Sequence, residues 1–137
     1  KAIAKGLRIP PRKARLIIDL VRGKNVAEAE RICRNYNSSA ARLTLKVLTS
    51  AVANAENNLG LDKTKLYVSK AYVDEGQTLK RMKFGSRGHV DPIKKRTSHI
   101  TIVVSEETGK ISITYSGIII TITDRDKLLE YIDLAME

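Results

Sequence analysis

One stretch of this sequence, from Gly76 to Arg96, is rich in positive charge and could bind a polyanion. The stretch contains a single acid, Asp91, and its net charge is +6. Its seven cations are Lys80, Arg81, Lys83, Arg87, Lys94, Lys95 and Arg96. Because such side chains neutralise phosphates, the stretch predicts binding to the backbone of a nucleic acid.

A second basic zone lies in residues 1–24, which carry eight Lys or Arg and one Asp, for a net charge of +7. Residues 25–79 are nearly neutral, and the whole chain has a net charge of +10. Two separate basic zones indicate a nucleic-acid-binding protein, although a basic helical face can also be simply solvated. The predicted phosphate contacts of this zone are Arg8, Arg12, Lys13, Arg15 and Arg22. An aromatic content of 4% argues against a base-stacking platform for single strands and favours recognition of nucleic-acid backbone and shape.

The sequence contains no recognisable catalytic or metal-binding constellation. His89 and His99 cannot form a metal site with the single, distant Cys33, and no Ser or Cys nucleophile has a plausible base nearby. We therefore predict no enzymatic activity, no metal and no cofactor, and we expect Cys33 to be a small core residue. No apolar run approaches membrane-spanning length and no signal peptide is visible, so a cytosolic location or the interior of an organelle is expected.

Two helices are predicted in the first forty or so residues. The first begins at Pro10-Pro11 and ends at Gly23, and its buried face comprises Ala14, Ile17, Ile18 and Val21. The second follows the capping-box spacing of Asn25 and Glu28. Its apolar side comprises Val26, Ala29, Ile32, Cys33 and Tyr36.

A third, longer helix is predicted to form the centre of the core. It begins at Ser38 or Ser39 and stops at Gly60, which suits the end of a helix. Its apolar stripe comprises Ala41, Leu45, Leu48, Val52, Ala55 and Leu59. The high alanine content of this helix allows a neighbouring element to approach closely.

Strands are predicted on both sides of the basic stretch, in Leu66–Val73 and Ile100–Val104, with a reversal near Gly85–Gly88. The simplest geometry is a long hairpin, here called the arm (residues 76–96), whose free part would reach roughly 30 Å. A bare two-stranded hairpin is marginal in water and needs a partner to lie on. A disordered basic loop is the alternative, and composition alone does not distinguish the two.

The end of the chain reads differently from the rest. Residues 106–137 carry three basic and seven acidic residues, a net charge of −4 that makes a position buried in RNA unfavourable. Two strands are predicted at 111–115 and 118–122, after a turn at 106–109, and Asp124 is expected to cap a final helix. The expected class is therefore α+β: three helices on a small antiparallel sheet, a protruding hairpin arm, and a C-terminal extension of a β-hairpin and a helix.

Several segments resemble the bacterial family of large-subunit ribosomal protein twenty-two, in one register over about residues 3–105. They are Arg8–Leu16 and Leu20–Lys24 in the first helix, Ser50–Asn58 at the end of the third, and Leu79–Arg81 and Lys95–Thr101 in the two sides of the arm. Each motif is weak alone, but together they are highly specific. The resemblance implies a domain over 1–105 that binds ribosomal RNA, and residues 106–137 form an extension that matches nothing in the family.

The resemblance also implies roles for individual residues. The root of the arm adds Thr97, Ser98 and His99 to the expected RNA contacts. The end of the arm, here called the tip, would line the peptide exit tunnel and consists of Met82, Lys83, Phe84, Gly85, Ser86, Arg87, Gly88, His89 and Val90. There it would face ribosomal protein four and the nascent polypeptide. This chain has Phe84-Gly85 where Pro-Arg is common in the family, and His89 and Pro92 where arginines are common.

These observations predict a structural protein of the large ribosomal subunit that binds large-subunit RNA, supports assembly and acts on no small-molecule substrate or membrane. The rival interpretation is a free RNA chaperone or assembly factor with the same electrostatics, and an enzyme ranks third. Retention on large subunits in high salt would distinguish the first two, whereas a cleft with a perturbed His or Glu would revive the enzyme.

Overall fold

The computed structural model describes residues 1–106 and the backbone of two later strands. The elements run β1 (Ala2–Leu7), α1 (Pro11–Val21), α2 (Val26–Asn35), α3 (Ser39–Leu59), β2 (Leu66–Glu75), β3 (Leu79–Phe84), β4 (Val90–Lys95), β5 (Ser98–Glu106), β6 (Ile111–Tyr115) and β7 (Ile118–Ile122). Short 3-10 turns occupy Lys63–Lys65 and Ser86–Gly88. The chain divides into two compact units, residues 1–106 and 107–137.

The three predicted helices are confirmed, and their ends follow local chemistry. Pro11 opens α1, and Gly23, just beyond its end, has a φ of 77° that favours glycine. The Ser38 hydroxyl accepts a hydrogen bond from the Ala40 N–H at 3.2 Å and so caps α3, while Gly60 ends it with a φ of 64°. These local signals are why the sequence located the helices correctly.

Strands β1, β5 and β2 form an antiparallel sheet in that order, so β5 is its central strand. Helices α1 and α3 pack against this sheet, and α2 packs on α3. The core contains the predicted faces of α1 and α3 together with alternate residues of the strands, among them Leu66, Val68, Ile100 and Ile102. The predicted α+β architecture is therefore confirmed.

Some details differ from the predicted pattern because tertiary packing decides them. Leu59 is 72% exposed and Tyr36 is 48% exposed, and each lies at the C-terminal end of its helix. Asn25 is the N-cap of α2, but its side chain makes no capping hydrogen bond. Thr101 alternates with the buried Ile100 and Ile102 along β5, yet it is only 4% exposed; on its own face it lies between Ile3 of β1 and Tyr72 of β2.

The basic stretch forms a hairpin rather than a disordered loop. Strands β3 and β4 pair from Leu79 with Lys95 to Phe84 with Val90, in a sheet separate from that of the body. Six residues per strand correspond to about 20 Å of regular hairpin, shorter than the roughly 30 Å expected from a longer pairing. Almost every residue of the hairpin is exposed, so it contributes little to the core.

The second unit contains the two predicted strands, β6 and β7, which pair antiparallel from Ile111 with Ile122 to Tyr115 with Ile118. Of the predicted turn at 106–109, Glu106 belongs to β5 and the other residues lie outside the described residues, as does the helix expected after Asp124.

Candidate nucleic-acid interface

The body contributes a patch of free cations at the start of α1. Arg8, Arg12 and Lys13 are exposed, and within residues 1–106 their side chains form no ion pair or hydrogen bond. Pro10 and Pro11 fix this region by opening the helix there. The buried face of α1 lies at Ala14, so the neighbouring Arg12 and Lys13 are held towards solvent. Their charge is therefore available to a phosphate.

Two other predicted RNA contacts of α1 have structural partners. The Arg15 guanidinium donates from Nη2 to the Val73 carbonyl oxygen at 3.2 Å. Arg22 donates from Nε and Nη2 to the Ala71 carbonyl oxygen at 3.0 and 2.8 Å, and from Nη1 to Asp19 Oδ1 at 3.0 Å. Any phosphate contact by these arginines must therefore use the N–H groups that remain.

These arginines lie along β2, which is an edge strand of the body sheet. Nearby, the loop after α1 pairs with the same strand: Gly23 N–H donates to the Val68 carbonyl and the Val68 N–H donates to the Lys24 carbonyl, both at 2.9 Å. An open edge strand is a template for unwanted pairing. The loop and the two guanidinium groups together occupy this edge from Val68 to Val73. Sequence reasoning missed this role, because nothing local links α1 to β2.

The cross-strand register gives the arm two different faces. One face carries mostly charge and comprises Leu79, Arg81, Lys83, Asp91, Ile93 and Lys95. The other carries two lysines near the body, Lys80 and Lys94, followed towards the tip by the four residues that we call the apolar face of the arm: Met82, Phe84, Val90 and Pro92. Alternate residues of a strand point to opposite sides, so the residues of one face are separated from those of the other.

The tip turns through a tight backbone geometry. The Gly85 N–H donates to the His89 carbonyl oxygen at 2.7 Å and closes the loop. Arg87 has a φ of 58°, in the left-handed region that favours glycine. Its side chain is exposed. The loop therefore presents the Arg87 cation to solvent at the far end of the arm.

The root of the arm is held by residues that the sequence placed among the RNA contacts. Thr97 Oγ1 donates to the Gln77 carbonyl at 2.7 Å, and His99 Nδ1 accepts from the Gly6 N–H at 2.9 Å. Thr97 and Ser98 are buried, and an added Cβ at Gly76 would clash with the Thr97 hydroxyl. These residues join the arm to the body, so we expect their effect on RNA binding to be indirect.

The metal-ligating side chains and the cysteine of residues 1–106 bear on whether these surfaces could do other chemistry. No three His, Cys, Asp or Glu residues of the described chain cluster as metal ligands would. Cys33 is buried, and the pKa of its thiol is raised by desolvation and, secondarily, by the nearby Glu30 carboxylate. A raised pKa keeps the thiol protonated and unreactive. Within the described residues, no helix is long and apolar enough to cross a membrane.

Comparison with known proteins identifies relatives of this arrangement. The family model of ribosomal protein L22p/L17e matches residues 2–105. The large ribosomal subunit protein uL22 of Ligilactobacillus salivarius (strain UCC118) is 62% identical over 105 residues, covering 77% of this chain and 91% of that protein. The protein of the same name from Clostridium novyi (strain NT) is 56% identical over 106 residues, covering 77% and 96%. The family match ends at residue 105 and so leaves out the C-terminal part of this chain.

Proposed function

The chain belongs to the L22p/L17e family of ribosomal proteins, and on that basis we propose that it binds large-subunit ribosomal RNA through its body and its arm. This family is a structural and non-catalytic class of the cytoplasmic ribosome. The observation that carries the proposal is the arm itself. It is a paired hairpin with a net charge of +6 and hardly any buried side chain. An isolated hairpin of this kind is marginally stable, so its sequence is suited to a polyanionic surrounding rather than to water.

The body and the arm would contribute different things to this binding. Arg8, Arg12 and Lys13 lie on a rigid helix start, where they would fix the position of the body on the RNA. The cations of the arm would order it by neutralising the phosphates that surround it. Few base-specific contacts are needed for this, because RNA is recognised largely by shape and backbone.

We further propose that the tip, Met82–Val90, reaches the peptide exit tunnel, with ribosomal protein four and the nascent polypeptide as its neighbours. The support is the family match across the whole arm, together with an arm that projects its own uncovered surface. The protein would support subunit assembly mainly through the body and the root of the arm, because most of its cations lie there.

Deleting residues 82–90 tests both parts of the proposal. We expect the truncated protein to fold and to enter large subunits, since the body core contains none of these residues. Chemical probing of the ribosomal RNA in those subunits should reveal newly reactive nucleotides, and the passage of nascent chains or of tunnel-binding drugs should change. Unchanged RNA reactivity would refute RNA binding by the tip, and unchanged translation and drug sensitivity would refute its place in the tunnel.

The rival function, a free RNA chaperone or assembly factor, makes a different prediction in salt. A structural component should remain on mature large subunits washed in high salt, because many simultaneous phosphate contacts and an inserted arm hold it. A factor held by the same charges on an open surface would be released. Recovery of the protein in the supernatant after such a wash would favour the factor.

A further inference from the structure

We propose that the apolar face of the arm, with the lysine pair beside it, binds a short unpaired stretch of RNA, with a base stacked on Phe84 and a phosphate between Lys80 and Lys94. This inference rests on the proposed RNA binding and specifies how one face of the arm takes part in it. The low aromatic content argues against an extended stacking platform, but a single exposed aromatic side chain suffices for one base.

Exposure singles out this face. Phe84 is the only phenylalanine of the chain, and at 84% it is the most exposed large apolar side chain among residues 1–106. Met82 is 77% exposed and Val90 is 45% exposed on the same face. Leaving such a group in water is unfavourable, so an exposed apolar cluster at the end of an arm indicates a contact surface.

The charge beside the apolar face specifies the partner. Lys80 and Lys94 are direct cross-strand partners, and no acid shares their face of the hairpin. Like charges directly opposite one another are destabilising, and an anion between them would relieve the repulsion. On the other face, by contrast, Lys83 is paired across the strands with Asp91. Because Lys80 and Lys94 share their face with no acid, they favour a polyanion over an apolar peptide as the occupant of this face.

The spacing fits nucleotides in succession. Phe84 lies four residues along the strand from Lys80, about 13 Å at the usual strand rise. That length suits a run of unpaired RNA along the hairpin, with a phosphate at the lysine pair and a base further towards the tip. Aromatic stacking of splayed bases, combined with cations on the backbone, is how proteins bind single-stranded RNA.

The test uses large subunits from cells that carry variants of Phe84. Dimethyl sulfate and 2′-hydroxyl acylating reagents would report the reactivity of each RNA nucleotide. We expect Phe84→Ala to raise the reactivity of one or two unpaired nucleotides severalfold, Phe84→Trp to restore protection, and Phe84→Leu not to restore it. The matched control is Tyr36→Ala, which removes an exposed aromatic side chain from α2 in the body and should leave those nucleotides unchanged.

A second variant examines the lysine pair. Replacing both Lys80 and Lys94 by Ala should raise the reactivity of the same or an adjacent nucleotide, while mass spectrometry confirms that the protein is still present in the subunit. Unchanged reactivity in this variant would overturn the assignment of a phosphate to the pair.

Two outcomes would overturn the assignment of the base. The first is unchanged RNA reactivity in Phe84→Ala, and the second is full restoration by Phe84→Leu, which would show that any apolar side chain suffices at this position. If RNA reactivity is unchanged and a photoreactive residue at position 84 cross-links to the nascent chain, the occupant of this face is a peptide. If deletion of 82–90 alters RNA reactivity and Phe84→Ala does not, only this inference fails. If the deletion also leaves RNA reactivity unchanged, both this inference and the proposed RNA binding by the tip fail.

Discussion

Arg22 donates two hydrogen bonds from its guanidinium to the backbone carbonyl oxygen of Ala71, at 3.0 and 2.8 Å. This interaction joins the end of α1 to the edge of β2, 49 residues later in the chain. An arginine that composition assigns to RNA binding is thus also part of the fold. The surface charge of a ribosomal protein therefore has to be divided between residues that bind RNA and residues that complete the sheet.

Replacing Arg22 should destabilise the protein. We expect Arg22→Ala to lower the free energy of unfolding by about 1 kcal/mol, since it removes hydrogen bonds from a charged group but the side chain is half exposed. Arg22→Lys should recover little of this lost stability, because an ammonium group cannot make the two hydrogen bonds of a planar guanidinium. Urea denaturation would measure both, with Arg31→Ala on the exposed side of α2 as the control. Equal stability of all three variants and the wild type would contradict a role in closing the sheet edge.

Arg12 and Lys13 should behave in the opposite way. Replacing both by Ala should weaken binding to large-subunit RNA and reduce the slope of log K against log salt by about 2, one unit for each phosphate that is no longer neutralised. The free energy of unfolding should stay within about 0.5 kcal/mol of wild type, since neither side chain has a partner in the described structure. Filter binding over a salt series measures the slope. A collapse of thermal stability instead would make these residues structural.

The hairpin of the arm should open frequently in the free protein and be held closed only when RNA surrounds it. Its hairpin has almost no buried side chains, whereas β2 and β5 lie in the core sheet. Amide hydrogen exchange of residues 78–94 should therefore be fast in the free protein and slow in the ribosome. The strands Leu66–Val73 and Ile100–Val104 should be protected in both states. Slow exchange of the arm in the free protein would show that it is stable without its partner.

Truncation after Glu106 should leave RNA binding nearly unchanged or slightly tighter. Residues 107–137 have a net charge of −3, so their removal takes away repulsion towards phosphate. The family match also ends before them, at residue 105. Binding to large-subunit RNA by the truncated and full-length proteins would be compared at equal salt, with circular dichroism to confirm the folded body. A loss of affinity in a folded truncated protein would assign the extension a role in RNA binding.

The three helices, the strands on both sides of the arm and the basic character of the arm could be predicted from the sequence. Local rules govern these features: the 3.6-residue period of α1, the serine cap of α3 and the glycines that end both helices require only neighbouring residues. The apolar stripe of α3 likewise identified Ala41, Leu48, Val52 and Ala55 as core residues, but it failed at Leu59, which is 72% exposed at the end of the helix.

Which cations are free, by contrast, depends on the tertiary structure. Arg12, Arg15 and Arg22 all lie on the polar side of α1, yet only the two that reach the edge of β2 are engaged there, through hydrogen bonds spanning 58 and 49 residues. The same applies to the arm, whose charge was evident but whose two faces depend on the pairing register set at the Gly85–His89 turn. A shift of one residue in one strand would separate Phe84 and Met82 from Val90 and Pro92, because side chains alternate between faces. Long-range geometry therefore distinguishes binding residues from structural ones where composition treats them alike.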